Sequence, residues 1–321
     1  MRRLTSAIVA AGLVTAGVGF EPSIATADAV VDTVPVEADP SEVVITPDGS
    51  HLYVTNFLSR SVSVIDTANN LVTDAIGVGD FPFGLAVTPD GSRVYITNAA
   101  DATMSVIETG ANTLTGAIPV GDSPYAIAIA PDGSSIYVTN FLSDSVSVID
   151  TGDDTVTDSI EVGRLPTALA ITPDGSHIYV ANADEQTVSV IETADNTVIK
   201  TVPVEGRPVG VVVTPDNSHV YVTNALGATM SVIETADNTV SEIVPVGATT
   251  NAAAVTPDGS RVYVTNAVDS TVSVIETTYN TVTETVPVGA DPQSVAISPD
   301  GAHAYVANSE DNTVSVIAID R

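Results

Sequence analysis

Thr46-Pro47-Asp48-Gly49-Ser50-His51-Leu52-Tyr53-Val54-Thr55-Asn56, a tight turn followed by a strand, returns six more times at a fixed spacing of 42 residues. The turn restarts at Pro89, Pro131, Pro173, Pro215, Pro257 and Pro299, with Asn217 in place of glycine in the fifth copy. A strict period constrains a chain more than any composition does, because each copy must solve the same packing problem against its neighbours.

Four short β-rich runs separated by turn residues fill each unit. In the second they are Gly84 to Thr88, Arg93 to Asn98, Met104 to Thr109 and Leu114 to Val120, labelled a to d from the axis outward. Seven four-stranded units without helical periodicity predict an all-β, seven-bladed β-propeller of antiparallel blades. In the a–b turn, Pro sets φ near −65°, Asp bonds the backbone ahead of it, and Gly accepts positive φ. The last unit ends at Arg321 without a strand d. Val30 to Val36 matches the strand d that ends at Val288. Residues 30–36 are therefore expected to complete the last blade and close the ring, which leaves no open end.

Residues 1–29 read as a secretory signal, with Arg2-Arg3, an apolar run from Ala7 to Phe20, and Ala27-Asp28-Ala29 as the cleavage triplet. Residues 30–321 would form the propeller. That apolar run is too short for a permanent membrane span, and no later segment qualifies, so a secreted or cell-surface location is expected. Cysteine is absent, which removes disulfides, thiolate metal sites and a lipoprotein anchor. A net charge of −31 makes nucleic acid and anionic lipid poor partners.

The blocks Tyr53-Val54-Thr55-Asn56, Tyr95-Ile96-Thr97-Asn98, Tyr137-Val138-Thr139-Asn140, Tyr179-Val180-Ala181-Asn182, Tyr221-Val222-Thr223-Asn224, Tyr263-Val264-Thr265-Asn266 and Tyr305-Val306-Ala307-Asn308 resemble the repeat of the YVTN β-propeller family. That resemblance implies a seven-bladed propeller of the kind found in archaeal surface-layer and exported bacterial proteins. It implies no catalytic residue set.

The a–b and c–d turns fall on one face of a propeller, the bottom, and the b–c and d–a loops on the other, the top. The bottom turns are near-copies, whereas the top loops differ from unit to unit. Phe57, Phe81, Phe83 and Phe141, every Phe beyond residue 29, fall on the top face. So do Tyr125 and three of the seven basic residues beyond residue 29, Arg60, Arg164 and Arg207. Aromatic and Arg side chains dominate binding hot spots. These residues either form a recognition face for a protein, glycan or small molecule, or cap the blade ends. Glu42 stands where the other units carry Gly, Ala or Ser, at the mouth of the axial channel. With Asp39, Asp291, Glu310 and Asp311 nearby it is a candidate for a divalent cation such as calcium; no other cofactor is expected.

His51, His177, His219 and His303 share one bottom-rim position and read as structural. No nucleophile elbow, phosphate-binding glycine loop or zinc spacing occurs. The sequence therefore leans towards a binding or scaffold module. The alternative is a lactonase-like or lyase-like enzyme using Glu42 and top-loop acids.

Overall fold

A computed structural model describes residues 27–320, so most of the expected signal lies outside the described residues. The chain forms seven four-stranded antiparallel sheets. Six take their strands in sequence order, from blade 1 (Pro40–Ile45, His51–Asn56, Ser61–Asp66, Leu71–Gly77) to blade 6 (Thr250–Val255, Arg261–Asn266, Thr271–Glu276, Thr281–Pro287). In blade 7 the outer strand is Ala29–Pro35, paired with strand c, Thr313–Ala318.

The two ends of the chain meet as the sequence predicts, and they meet in the register of every other blade. Val34 lies opposite Val314 and Pro35 opposite Thr313, just as Val286 lies opposite Val272 and Pro287 opposite Thr271 in blade 6. Even the irregularity is reproduced, falling between Val30 and Asp32 here and opposite Val274 and Ile275 there.

Among the described residues the apolar side chains gather in seven seams between neighbouring blades. One seam joins Val34, Tyr305, Val314 and Val316 of blade 7 to Val43, Leu52, Val54 and Ile65 of blade 1. The next joins Tyr53, Val62, Val64 and Ile76 to Leu85, Val94, Ile96 and Ile107 of blade 2. Because strands b and c are covered on both faces, they read as near-continuous apolar runs with buried Ser and Thr between them. The outer strands face solvent and alternate weakly.

Each residue of the Tyr-Val-Thr-Asn block has a separate task. In four of the blades the Tyr hydroxyl reaches the next blade and donates to the c–d turn there, from Tyr53 to Asn112 (2.8 Å), Tyr95 to Asp154 (3.0 Å), Tyr179 to Asn238 (2.6 Å) and Tyr221 to Asn280 (2.7 Å). The Thr hydroxyl donates across the inner seam, as from Thr55 to the Phe83 carbonyl (2.9 Å) and from Thr97 to the Tyr125 carbonyl (2.8 Å). The Asn amide stays within its blade, where Asn56 Nδ2 donates to Ser61 (3.1 Å) and Ser63 (2.9 Å). These seven amides are almost wholly buried. They fix strand c to strand b. Close approach at the axis explains the small residues of strand a: a Cβ on Gly84 would lie 2.1 Å from the Tyr125 carbonyl.

In the bottom turn the Thr46 hydroxyl donates to Asp48 Oδ1 (2.6 Å), and the Ser50 amide (3.0 Å) and hydroxyl (2.8 Å) join it. Those three donors, Thr46 first, hold the Asp48 carboxyl at about 2. Gly49 takes φ of 73°, and Asn217 follows it at 61°. Blade 3 alone has Ala130 at the Thr position, so Asp132 is held by Ser134 only. Ala130→Thr should restore the missing bond and add about 1 kcal/mol, seen as a melting temperature raised by about 2 °C. An unchanged or lower melting temperature would mean that the hydroxyl does not support the turn. The four histidines lie beside these turns, with His51, His177 and His219 Nδ1 within 2.7 Å or less of a neighbouring Ser hydroxyl.

Candidate functional site

One register position supplies the top mouth of the channel. The second residue of strand a is Ser41, Phe83, Tyr125, Thr167, Val209, Asn251 and Gln293 in blades 1 to 7, and all seven line a cavity of about 450 Å³. The residue after it is the small one, and among those six small residues and one acid, Glu42 is the acid. A ring of seven equivalent positions carrying seven different residues gives the mouth distinct sides: aromatic at blades 2 and 3, amide at blades 6 and 7. Asn251 Nδ2 donates to Gln293 Oε1 (3.2 Å), so the two amides brace each other.

The aromatic side extends outward. Phe81 stacks on Phe57 with centroids 4.7 Å apart, and Phe57 meets the edge of Phe83 at 6.3 Å. Phe83 stacks on Tyr125 at 3.8 Å, and Tyr125 faces Phe141 at 5.8 Å. The five rings form one continuous arc over blades 1 to 3. They wall a second concavity of about 630 Å³, closed by Ala99, Ala100, Ala102, Ser123 and Leu142. Phe83, Tyr125 and Phe141 belong to both spaces. Each such ring pair is worth about 0.5–1.5 kcal/mol beyond its buried area, which sets the arc in place before any ligand arrives.

Backbone strain accompanies the arc. Phe81 has φ of 56°, in a left-handed conformation that bulky residues avoid. The same loop position is Asp39, Ser123, Leu165, Thr249 and Asp291 elsewhere, all left-handed. In blade 5 the left-handed residue is instead Gly206, one position earlier. The following Arg207 is one of the residues lining the central cavity.

Glu42 carries the distinctive electrostatics. Burial at the mouth raises its carboxyl from 4.5 to about 7, against the opposing pull of the Ser294 hydroxyl, which donates to Oε1 at 2.7 Å. Tyr125 is pushed well above its usual value by burial and then by the nearby Glu42 charge, with Arg207 acting in the opposite sense. One hydroxyl thus feels both Glu42 and Arg207, which places the three groups around a common space. The described residues offer Arg207 no ion-pair partner.

The predicted top-face residues therefore divide. Phe57, Phe81, Phe83, Tyr125, Phe141, Arg207 and Glu42 come together around two joined cavities. Arg60 and Arg164 line neither; they pair with Asp80 (2.9 Å) and Asp184 (3.3 Å) across the top loops. Among the described residues, no group of three or more His, Asp or Glu converges as a cation site. Two of the acids near Glu42 hold the loops, Asp311 accepting from the Ala290 amide (2.7 Å) and Asp39 from the Ser309 hydroxyl. Sequence reasoning missed Ser41, Thr167, Val209, Asn251 and Gln293. Their signal was one repeat position filled differently in every unit.

A model of the family described as lactonase, 7-bladed β-propeller, matches residues 4–119 and 208–321, well over half of the sequence. The chain belongs to that family. A YNCE-like β-propeller model also matches this lactonase-family propeller over residues 85–174. Among solved structures, a chain of Kuenenia stuttgartiensis hydrazine synthase is similar, 26% identical with a TM-score of 0.82, covering 89% of this chain and 97% of that one. No curated protein matches the sequence. Among the described residues, no helix is long and apolar enough to cross a membrane.

Proposed function

We propose that this protein is an exported, surface-associated or extracellular recognition module of the YVTN type. Its top face would bind a small ring-shaped polar ligand, such as the end of a glycan. The arc of five rings opening into the central mouth is the observation that carries this reading. A sugar ring presents one flat C–H face and a periphery of hydroxyls. Phe83 and Tyr125 supply a matching apolar wall, while Glu42, Arg207, Asn251 and Gln293 supply donors and acceptors at its edge. Export is supported by the Arg-apolar-Ala pattern before residue 30 and by the net charge of −31.

A second reading is a lactone-opening enzyme at the same mouth, favoured by the family match and by the Glu42 carboxyl at about 7. A carboxyl there exists in both protonation states near neutral pH, as a general base for water attack requires. Arg207 is the group available to face the developing oxyanion.

The test is calorimetric titration with neutral monosaccharides, oligosaccharides and sugar lactones, with acid release followed in parallel. Binding that falls about tenfold or more in Phe83→Ala and in Tyr125→Ala supports recognition. Phe81→Asn should weaken binding with little loss of stability, because Asn tolerates the left-handed backbone. Acid release abolished by Glu42→Gln, with binding retained, selects the enzyme. Equal binding by the aromatic variants, or no binding across the panel, would remove the carbohydrate reading.

A further inference from the structure

The Tyr clamp between blades has a gap to fill at blade 7. In blades 2, 3, 5 and 6 the receiving group is Asn112, Asp154, Asn238 or Asn280, each in the c–d turn and each 59 residues after its Tyr. For Tyr263 of blade 6 the receiving place is filled from the other end of the ring. Its hydroxyl donates to Asp28. Asp28 precedes the closing strand as Asn280 precedes strand d of blade 6, so it occupies the same place in the repeat from the other end of the chain.

Asp28 is built in on every side. Its side chain is 0% exposed, and Oδ1 accepts from the Asp320 amide (2.7 Å) and lies 3.5 Å from Arg261 Nη1. Arg261 also donates to the Asp320 carbonyl (2.9 Å), so Asp28 and Arg261 together hold the segment that follows strand c. The Asp28 amide nitrogen donates to Glu284 Oε2 (3.2 Å). Ala27, one residue earlier, is exposed.

A cut after Ala29, the expectation from Ala27-Asp28-Ala29, would discard this residue and leave the Tyr263 hydroxyl and Arg261 facing an empty position. The sequence holds a second small-x-small triplet two residues earlier, Ala25-Thr26-Ala27. We infer that the export peptidase hydrolyses the Ala27–Asp28 bond, so that Asp28 is the first residue of the mature protein. Water adds its hydroxyl to the Ala27 carbonyl carbon as the C–N bond breaks, and the Asp28 nitrogen takes the remaining proton of the water and then the proton that the new Ala27 carboxyl gives up. That nitrogen becomes an ammonium facing the Glu284 carboxylate, which turns a neutral hydrogen bond into a charge-assisted one.

The two triplets share Ala27 but differ at their other ends, which makes them separable. The secreted protein from an exporting host, examined by intact mass and N-terminal sequencing, should begin at Asp28. Ala25→Arg should block processing there, and Ala29→Arg should leave it intact, since Ala29 is exposed and outside the earlier triplet. A start at Val30, loss of processing in Ala29→Arg alone, or no cleavage at all would overturn the inference. Chains made without the leader supply a second readout. One beginning at Val30 should melt about 5 °C or more below one beginning at Asp28; equal melting would show that Asp28 is dispensable and would also count against it.

Discussion

A chain lacking residues 28–36 is expected to lose its cooperative fold altogether. Strand Ala29–Pro35 presents mostly exposed side chains, yet Val34 is 3% exposed in the seam between blades 7 and 1. Burying that side chain is worth about 1.5–3 kcal/mol. Its removal also uncovers Val314 and Val316 and leaves strand c of blade 7 with unpaired backbone groups. With the Tyr263 clamp gone as well, the loss exceeds about 5 kcal/mol, comparable to the whole stability of an ordinary domain. Thermal melting and size-exclusion chromatography check it: the truncated chain should melt without cooperativity or self-associate through the bare strand, and a peptide of residues 28–36 should restore a sharp transition. Val34→Asp is the milder version, with the same direction. If the truncated chain melted within a few degrees of the full one, ring closure would not be what holds the blades.

Closure was legible because the repeat is so strict. Once Val30 to Val36 is aligned on the segment ending at Val288, only one partner strand lacks a neighbour, and the pairing follows without coordinates. The bottom turns were legible for the same reason, and Asn217 at φ of 61° obeys the backbone rule that allowed the exception. The site was half legible. Phe on a loop is conspicuous in a chain with so few aromatics, so the five rings could be named. That they touch one another in a line depends on how adjacent blades splay, which local spacing does not encode.

The arginines show where sequence stops. Arg60, Arg164 and Arg207 look alike on paper, but acids one loop away take up the first two. Gly206 moves the left-handed residue of its loop by one position and leaves Arg207 at the central cavity. Asn251 and Gln293 were missed for a different reason. Polar amides are unremarkable in a polar loop, and only their shared register with Phe83 and Tyr125 marks them as mouth residues.

Glu42 gives the second large effect, and its sign is fixed by the direction of its shift. In the unfolded chain this carboxyl ionises near 4.5, whereas in the folded mouth it holds its proton to about 7. Between those values the folded state binds more protons than the unfolded one, so stability falls as pH rises through the interval and levels off above it. Glu42→Gln keeps the shape and an acceptor for Ser294 but never ionises. The variant should therefore match the parent near pH 4 and exceed it above pH 8. The shift from 4.5 to about 7 corresponds to about 3 kcal/mol at most; channel water reaches the half-buried side chain, so about 2 kcal/mol is expected. Melting curves across pH 4–9 read this directly, and a difference between variant and parent that does not change with pH would show that Glu42 ionises freely. Ser294→Ala should act in the opposite sense to a rescue: it removes the donor that favours the ionised form and moves the falling limb to higher pH. The destabilised anion is the useful part. A carboxylate held at the mouth against its own solvation is relieved by any ligand that brings a hydroxyl or ammonium to it. Above pH 7, binding at the central cavity should accordingly recover most of the stability lost between pH 4.5 and about 7, and do so only when Glu42 is present.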